Sequence, residues 1–262
     1  MISVTLEQLY GWLALFLWPF FRILAMIGTS PLFGETTVPA RAKVGLAALL
    51  TVAVAPAVEV PAGISPGSLD GLMLVARQVM IGIAMGLTMR VVFAAVQAAG
   101  ELVGLQMGLS FASFFDPATG ANTAVLARLF NILAMLLFLA LDGHLLMLAA
   151  LIHSFDTLPL SASPLDVNGW GVLIEWGAQV LVSGLMFALP LITVLLTINL
   201  AMGILNRTAT QLSVFAVGFP ISLTVGVVLL MIVLPQMTPF TERLFNSGFL
   251  ALDRLVNGFA GR

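Results

Sequence analysis

This chain has no cysteine, one lysine and very little charge of either sign. The missing cysteines exclude disulfides, thiolate metal sites and cysteine nucleophiles. Charged residues make up 8% of the chain, against about 25% in ordinary soluble domains. Lys43 is the one lysine and the net charge is −2, which argues against nucleic acid, since that partner calls for clustered Lys and Arg. The two histidines, His144 and His153, stand nine residues apart without HExxH or an acidic cluster, so no metal site or other cofactor is expected. Ser183 lacks a GxSxG context, and neither a P-loop nor a GxGxxG after a strand is present; nothing argues for an enzyme. The N-terminus has no basic region and carries Glu7 before its first apolar run, so it reads as an uncleaved first helix rather than a signal peptide. No convincing internal repeat is visible.

Apolar sequence is what the chain does have: 60% hydrophobic residues and a mean hydropathy of +1.12. Residues 176–206 and 208–241 are free of charge and separated only by Arg207. Each exceeds the roughly 20 residues that a helix needs to cross a hydrocarbon core. Lipid or tightly packed partner subunits must cover that surface. The expected fold is all-α, a multi-helix integral-membrane-type protein with about six long hydrophobic segments. They run near 6–29 (interrupted by Pro19 and Arg22), 42–58, 72–109, 123–155, 171–205 and 212–237, with an amphipathic tail at 240–259 after Pro235 and Pro239. Loops 56–70 and 156–175 contain acids without Lys or Arg, while Arg41, Lys43, Arg128 and Arg207 occupy the alternate connections. The positive-inside rule then puts these basic loops in the cytoplasm and both termini outside.

Charges recur inside the apolar segments: Arg22, Arg77, Arg90, Glu101 and Asp142. Each costs roughly 2.5–3.5 kcal/mol at a span centre, so each should face protein or water unless it marks a span end. In the third segment Arg90, Gln97 and Glu101 fall near one helical line, with Gly86, Gly104 and Gly108 close to it, and GxxxG spacings join Gly82 to Gly86 and Gly100 to Gly104 to Gly108. This reads as a polar, glycine-lined seam toward another subunit or a channel, against an ordinary packing face within the chain. Just beyond, Met107, Phe111, Phe114 and Phe115 share a face before Asp116-Pro117 breaks the pattern. Such a stripe suits either a deformable pore seal or a core-packing face, and spacing alone favours core. The hinge at 204–220 places Asn199, Gly203 and Asn206 on a face leading to Arg207, followed by Thr208, Thr210, Gln211 and Ser213. It is either a solvated turn or a contact for another protein.

Several stretches carry a resemblance: PLFGETTVPAR at 31–41, GLSFASFFDP at 108–117, FLALDGHLL at 138–146 and NRTATQLSVFAVGFP at 206–220. Together they are similar to the FliR family of flagellar type III export-gate proteins, over essentially the whole chain. The hinge departs from the family's usual Pro-Gln at Thr210-Gln211. The resemblance implies one export-gate domain, 1–262, with FliP-like helices over 1–165 and a FliQ-like hairpin and C-terminal tail over 166–262. It implies a non-catalytic subunit that assembles with FliP and FliQ homologues, with FlhB associated and other flagellar export proteins nearby. Unfolded flagellar subunits are the cargo, driven by proton motive force. The location implied is the bacterial inner membrane, multi-pass, in contact with lipid at the flagellar basal body. The assembled gate sits largely above the ordinary bilayer plane, so apolar segments need not be crossings. Met107, Phe111, Phe114, Phe115, Asp116 and Pro117 become pore-plug residues. Arg90, Gln97, Gly100, Glu101, Gly104, Gly108, Asn206, Arg207 and Gln211 become interface or seam residues. The competing expectations are a virulence type III counterpart and an independent small-solute transporter. The latter should show paired broken helices around a midplane ion site.

Overall fold

A computed structural model describes residues 6–59, 61, 64–109, 125–161, 163–208 and 217–262. Its regular elements are helices: α1 (Leu6–Thr29), α2 (Ala40–Val54) with a 3-10 turn at Ala55–Ala57, α3 (Leu69–Gln106), α4 (Val125–Ala140), α5 (Gly143–Thr157), α6 (Asn168–Thr208) and α7 (Phe219–Phe259). No strand occurs among the described residues. Among the described residues five helices are long and apolar enough to cross a membrane, or up to six spans if the broken pair α4–α5 counts as one. The all-α, membrane-type fold with about six segments is therefore what the chain forms.

Three local expectations need correction. Neither Pro19 nor Arg22 interrupts α1. The tail is not a separate element, because α7 runs through Pro235 and Pro239 to Phe259. Both prolines lie on exposed positions four residues apart, so the carbonyls they leave unpaired point to one outer side, a disruption that apolar helices tolerate. The fourth segment is two helices rather than one. Asp142 takes a left-handed backbone (φ 53°) and starts α5, its carbonyl accepting from the Leu145 and Leu146 amides at 2.9 and 3.0 Å.

At about 1.5 Å per residue, the 38 residues of α3 extend about 57 Å, and the 41 residues each of α6 and α7 about 62 Å. A hydrocarbon core is only about 30 Å thick. Length alone therefore carries each of these helices well past one perpendicular crossing.

The chain forms two compact units. Helices α3, α6 and α7 each contribute residues to both. The first unit holds Met1–Val91, Asp142–Gly177 and Asn246–Arg262. Its core includes Trp18, Ile23, Ile27, Leu74, Ile81, Met85, Met147 and Leu151. Here α1 and α3 pack in parallel, because glycines on α3 admit the α1 backbone. A Cβ on Gly82 would stand 2.3 Å from the Arg22 carbonyl oxygen, and one on Gly86 would meet Thr29. The Trp176 indole N–H donates to the Thr88 carbonyl at 2.9 Å, tying α6 alongside α3. At its other edge Phe259 covers Gly169 so closely that a Cβ there would strike its ring.

The second unit holds Val92–Leu141 and Ala178–Phe245. Phe93, Phe138 and Phe245 form its aromatic centre, with centroids 5.1 to 5.5 Å apart. Phe187 stacks on Phe240 at 4.4 Å, and Asn199 meets Ser222 farther along the same pair. The descending partner numbers show α6 and α7 to be antiparallel. Helix α6 buries a stripe at Val180, Gly184, Ala188, Leu191 and Leu195. Helix α7 buries Ser222, Gly226, Leu230 and Met237. A spacing near four residues keeps one narrow face inward, and leaves Leu185, Met186, Leu196, Leu200, Met231 and Ile232 exposed.

Candidate functional site

The C-terminal end of α3 is where the described structure comes nearest to the expected plug. Gly108 has φ 80°, a left-handed conformation that glycine adopts without penalty. The Leu109 amide donates to the Gly104 carbonyl at 3.0 Å, and the Gly108 amide donates to the Leu105 carbonyl at 3.1 Å. That bond pair is a Schellman motif, which stops a helix sharply. Gly108 therefore acts as a helix stop.

A Schellman turn leaves the next carbonyl, that of Gln106, with no helical donor. Asn199 supplies one from α6, its Nδ2–H donating at 3.1 Å. The Ser222 hydroxyl from α7 donates to Asn199 Oδ1 at 2.6 Å and fixes the amide's orientation. Met107 is buried, and its side chain fills the notch left by Gly226, where a Cβ would lie 2.5 to 2.8 Å from its Cγ, Cε and Sδ atoms. Two polar contacts and one apolar contact thus hold the last turn of α3 against both α6 and α7.

The remaining expected site residues separate. Arg90, Gln97 and Glu101 are all exposed along α3. Gly100 instead packs within the chain, its missing Cβ giving room to the α4 backbone at Leu126 and Ala127, and Gly104 is buried 3.5 Å (at an added Cβ) from Leu126 Cβ. The polar residues and the glycines of the expected seam do not share one surface. Asn206 is half-buried and Arg207 exposed near the end of α6. Phe111, Phe114, Phe115, Asp116, Pro117 and Gln211 lie outside the described residues.

A second polar cluster, in the first compact unit, was flagged in the sequence only as an unexplained charge. The fully buried Arg22 donates from Nε to Gln78 Oε1 at 2.7 Å, from Nη1 to the Ser154 carbonyl at 2.9 Å and hydroxyl at 3.1 Å, and from Nη2 to the Leu158 carbonyl at 2.7 Å. Its guanidinium carbon stands 4.2 Å over the Phe155 ring. Arg77 donates to the carbonyl and hydroxyl of Ser161 in the segment that follows. Among the described residues no acidic or histidine cluster has the form of a metal site. The arrangement is one of positioned helices and hydrogen-bonded anchors.

Residues 13–248 match the model of the bacterial export proteins, family 1. The chain belongs to this family. Among its relatives in that export family is the flagellar biosynthetic protein FliR of Escherichia coli K12, 49% identical over 258 residues and covering 98% of both chains. FliR of Pectobacterium carotovorum is 50% identical over 250 residues, 95% of each chain. FliR of Bacillus subtilis is 29% identical over 235 residues, covering 88% of this chain and 90% of that one. The bacterial export family, flagellar biosynthesis and an apolar helical build suited to a membrane all apply to this chain.

Proposed function

We propose that this chain is a non-catalytic subunit of the flagellar type III protein export gate. It assembles with FliP and FliQ homologues around the channel for unfolded flagellar subunits, with FlhB associated, in the bacterial inner membrane at the flagellar basal body. The segment 107–117 closes that channel through Met107, Phe111, Phe114 and Phe115, and Asp116-Pro117 ends the segment.

The observation that carries this reading is the exposed row of Arg90, Gln97 and Glu101 along α3, a helix otherwise apolar enough to cross a membrane. Charges on an outward face of such a helix cost roughly 2.5–3.5 kcal/mol each in lipid, so that face belongs against another protein or water. The abrupt stop at Gly108 supports the plug assignment, because it turns the chain out of α3 directly ahead of the aromatic segment. End-to-end similarity to FliR supports the flagellar machine over a virulence counterpart.

The test is electrical. Phe111→Ala combined with Phe114→Ala is expected to make the closed, assembled gate leak ions in a planar bilayer or in vesicles. Wild-type conductance in that double variant would remove the plug assignment.

A further inference from the structure

The contacts of Asn199 carry a consequence beyond plugging itself, though it rests on 107–117 being the closing segment. Asn199 is a polar residue inside the charge-free stretch 176–206. It continues the inward stripe of α6 after Val180, Gly184, Ala188, Leu191 and Leu195. An amide there has an unfavourable place unless both its donor and its acceptor are engaged. Both are, and by different helices: Nδ2 gives its hydrogen to the Gln106 carbonyl of α3, and Oδ1 receives one from Ser222 of α7. One side chain therefore reads the positions of α3, α6 and α7 at once, at the residue where α3 ends. Beside it, the buried Met107 fits the notch at Gly226, and an unbranched thioether side chain can leave such a notch by rotating.

We infer that Asn199 is a positioning residue of the constriction: with Ser222 and the Gly226 notch it latches the root of the closing segment to the α6–α7 hairpin, and opening requires this latch to release. The design differs from the Phe93–Phe138–Phe245 cluster farther back along α3, whose rings have no polar group to trade for water when they separate. The latch groups do: detached, Gln106 O, Asn199 and Ser222 can all be hydrated. A shift of α7 along α6 moves Ser222 off Asn199 and frees the amide to rotate away from Gln106. The hairpin's register thereby decides whether the end of α3 is held.

The experiment uses the full chain assembled with its membrane partners, in vesicles of bacterial phospholipid. Asn199→Leu and Asn199→Asp both delete the donor, and each is expected to raise ion leak about tenfold, the shift that losing about 1.4 kcal/mol from this half-buried hydrogen-bond pair gives a two-state equilibrium. Ser222→Thr keeps the hydroxyl and should stay tight, whereas Ser222→Ala should leak. A general packing defect would not follow that pattern. The second arm exploits the absence of cysteine. Met107→Cys with Gly226→Cys places two thiols where the native side chain and notch touch. Oxidation should stop export relative to the same protein reduced, and reduction should restore it. Export that continues with the bond formed overturns the inference, as does a tight Asn199→Leu gate beside a leaky Phe111→Ala/Phe114→Ala gate. If neither of those two gates leaks, the plug reading itself falls. If Asn199→Leu does not assemble, the cysteine pair decides.

Discussion

Arg22 shows how a single residue can organise an apolar bundle. It is fully buried in α1, where backbone carbonyls and neutral side chains, rather than a carboxylate, receive its hydrogens among the described residues. Two of those acceptors, the Ser154 and Leu158 carbonyls, sit at the end of α5, where the negative end of the helix dipole favours a cation; the Ser154 carbonyl also accepts the Leu158 amide at 2.9 Å. The planar fork reaches acceptors on three residues, Gln78, Ser154 and Leu158, and a lysine ammonium cannot copy it. Arg22→Lys should therefore behave much like a loss. With the Leu158 carbonyl and Gln78 Oε1 left unpaired, the cost is expected to reach about 3 kcal/mol. The check is the melting temperature of the detergent-solubilised protein, which should fall by several degrees in Arg22→Lys and further in Arg22→Leu. An unchanged melting temperature in Arg22→Lys would show that charge alone suffices.

Among the elements, glycine placement separates close helix crossings from open stretches. Gly82 and Gly86 are occupied by α1, Gly100 by α4, and Gly184 of α6 by Ala95 of α3, each with an added Cβ falling under 3 Å from a neighbour. Gly45, inside α2, has nothing within 4 Å. Gly82→Leu should push α1 from α3 and reduce accumulation of folded protein sharply. Gly45→Ala should be neutral or stabilising by about 0.5–1 kcal/mol, since alanine restricts the unfolded chain and favours helix. Protease resistance of the two variants against wild type reads this contrast, and equal resistance would sink the crossing argument. Hydropathy made the elements themselves legible: α1 spans the expected 6–29, and α3, α6 and α7 fall on the long apolar runs. It could not register the break at Asp142, because a left-handed residue between two apolar helices leaves the average unchanged. It misjudged Pro235 and Pro239 for the opposite reason, reading a chemical breaker where the exposed side of α7 absorbs the missing bonds. At the site, Met107 and the charge at Arg22 were visible as residues. Their partners Gly226, Gln78 and Ser154 were not, because partner choice depends on the register of helices far apart in sequence. Asn199 stood out as polar, yet nothing in the sequence paired it with Ser222.

For the whole molecule, the decisive quantity is the apolar surface left uncovered. Helices α6 and α7 keep only narrow stripes inward, and Leu49, Leu72, Met186, Leu200 and Met231 are each more than 60% exposed. Lipid can cover such residues, but it cannot accept Arg90, Gln97 and Glu101 on the exposed side of α3. The surface thus asks for two kinds of neighbour, apolar along the hairpin and polar along α3, as a subunit enclosed by other helical chains would meet. Expressed with its neighbouring membrane genes and purified in mild detergent, the chain is expected as a single copy in a much larger complex with small multi-helix proteins. Changing Arg90, Gln97 and Glu101 together to leucine removes the polar neighbour's footing without touching either compact core, so native mass should drop toward the free chain while its helical content stays. If the triple variant still assembles at full mass, that row faces water or nothing, and the seam belongs to the channel wall rather than to a subunit contact.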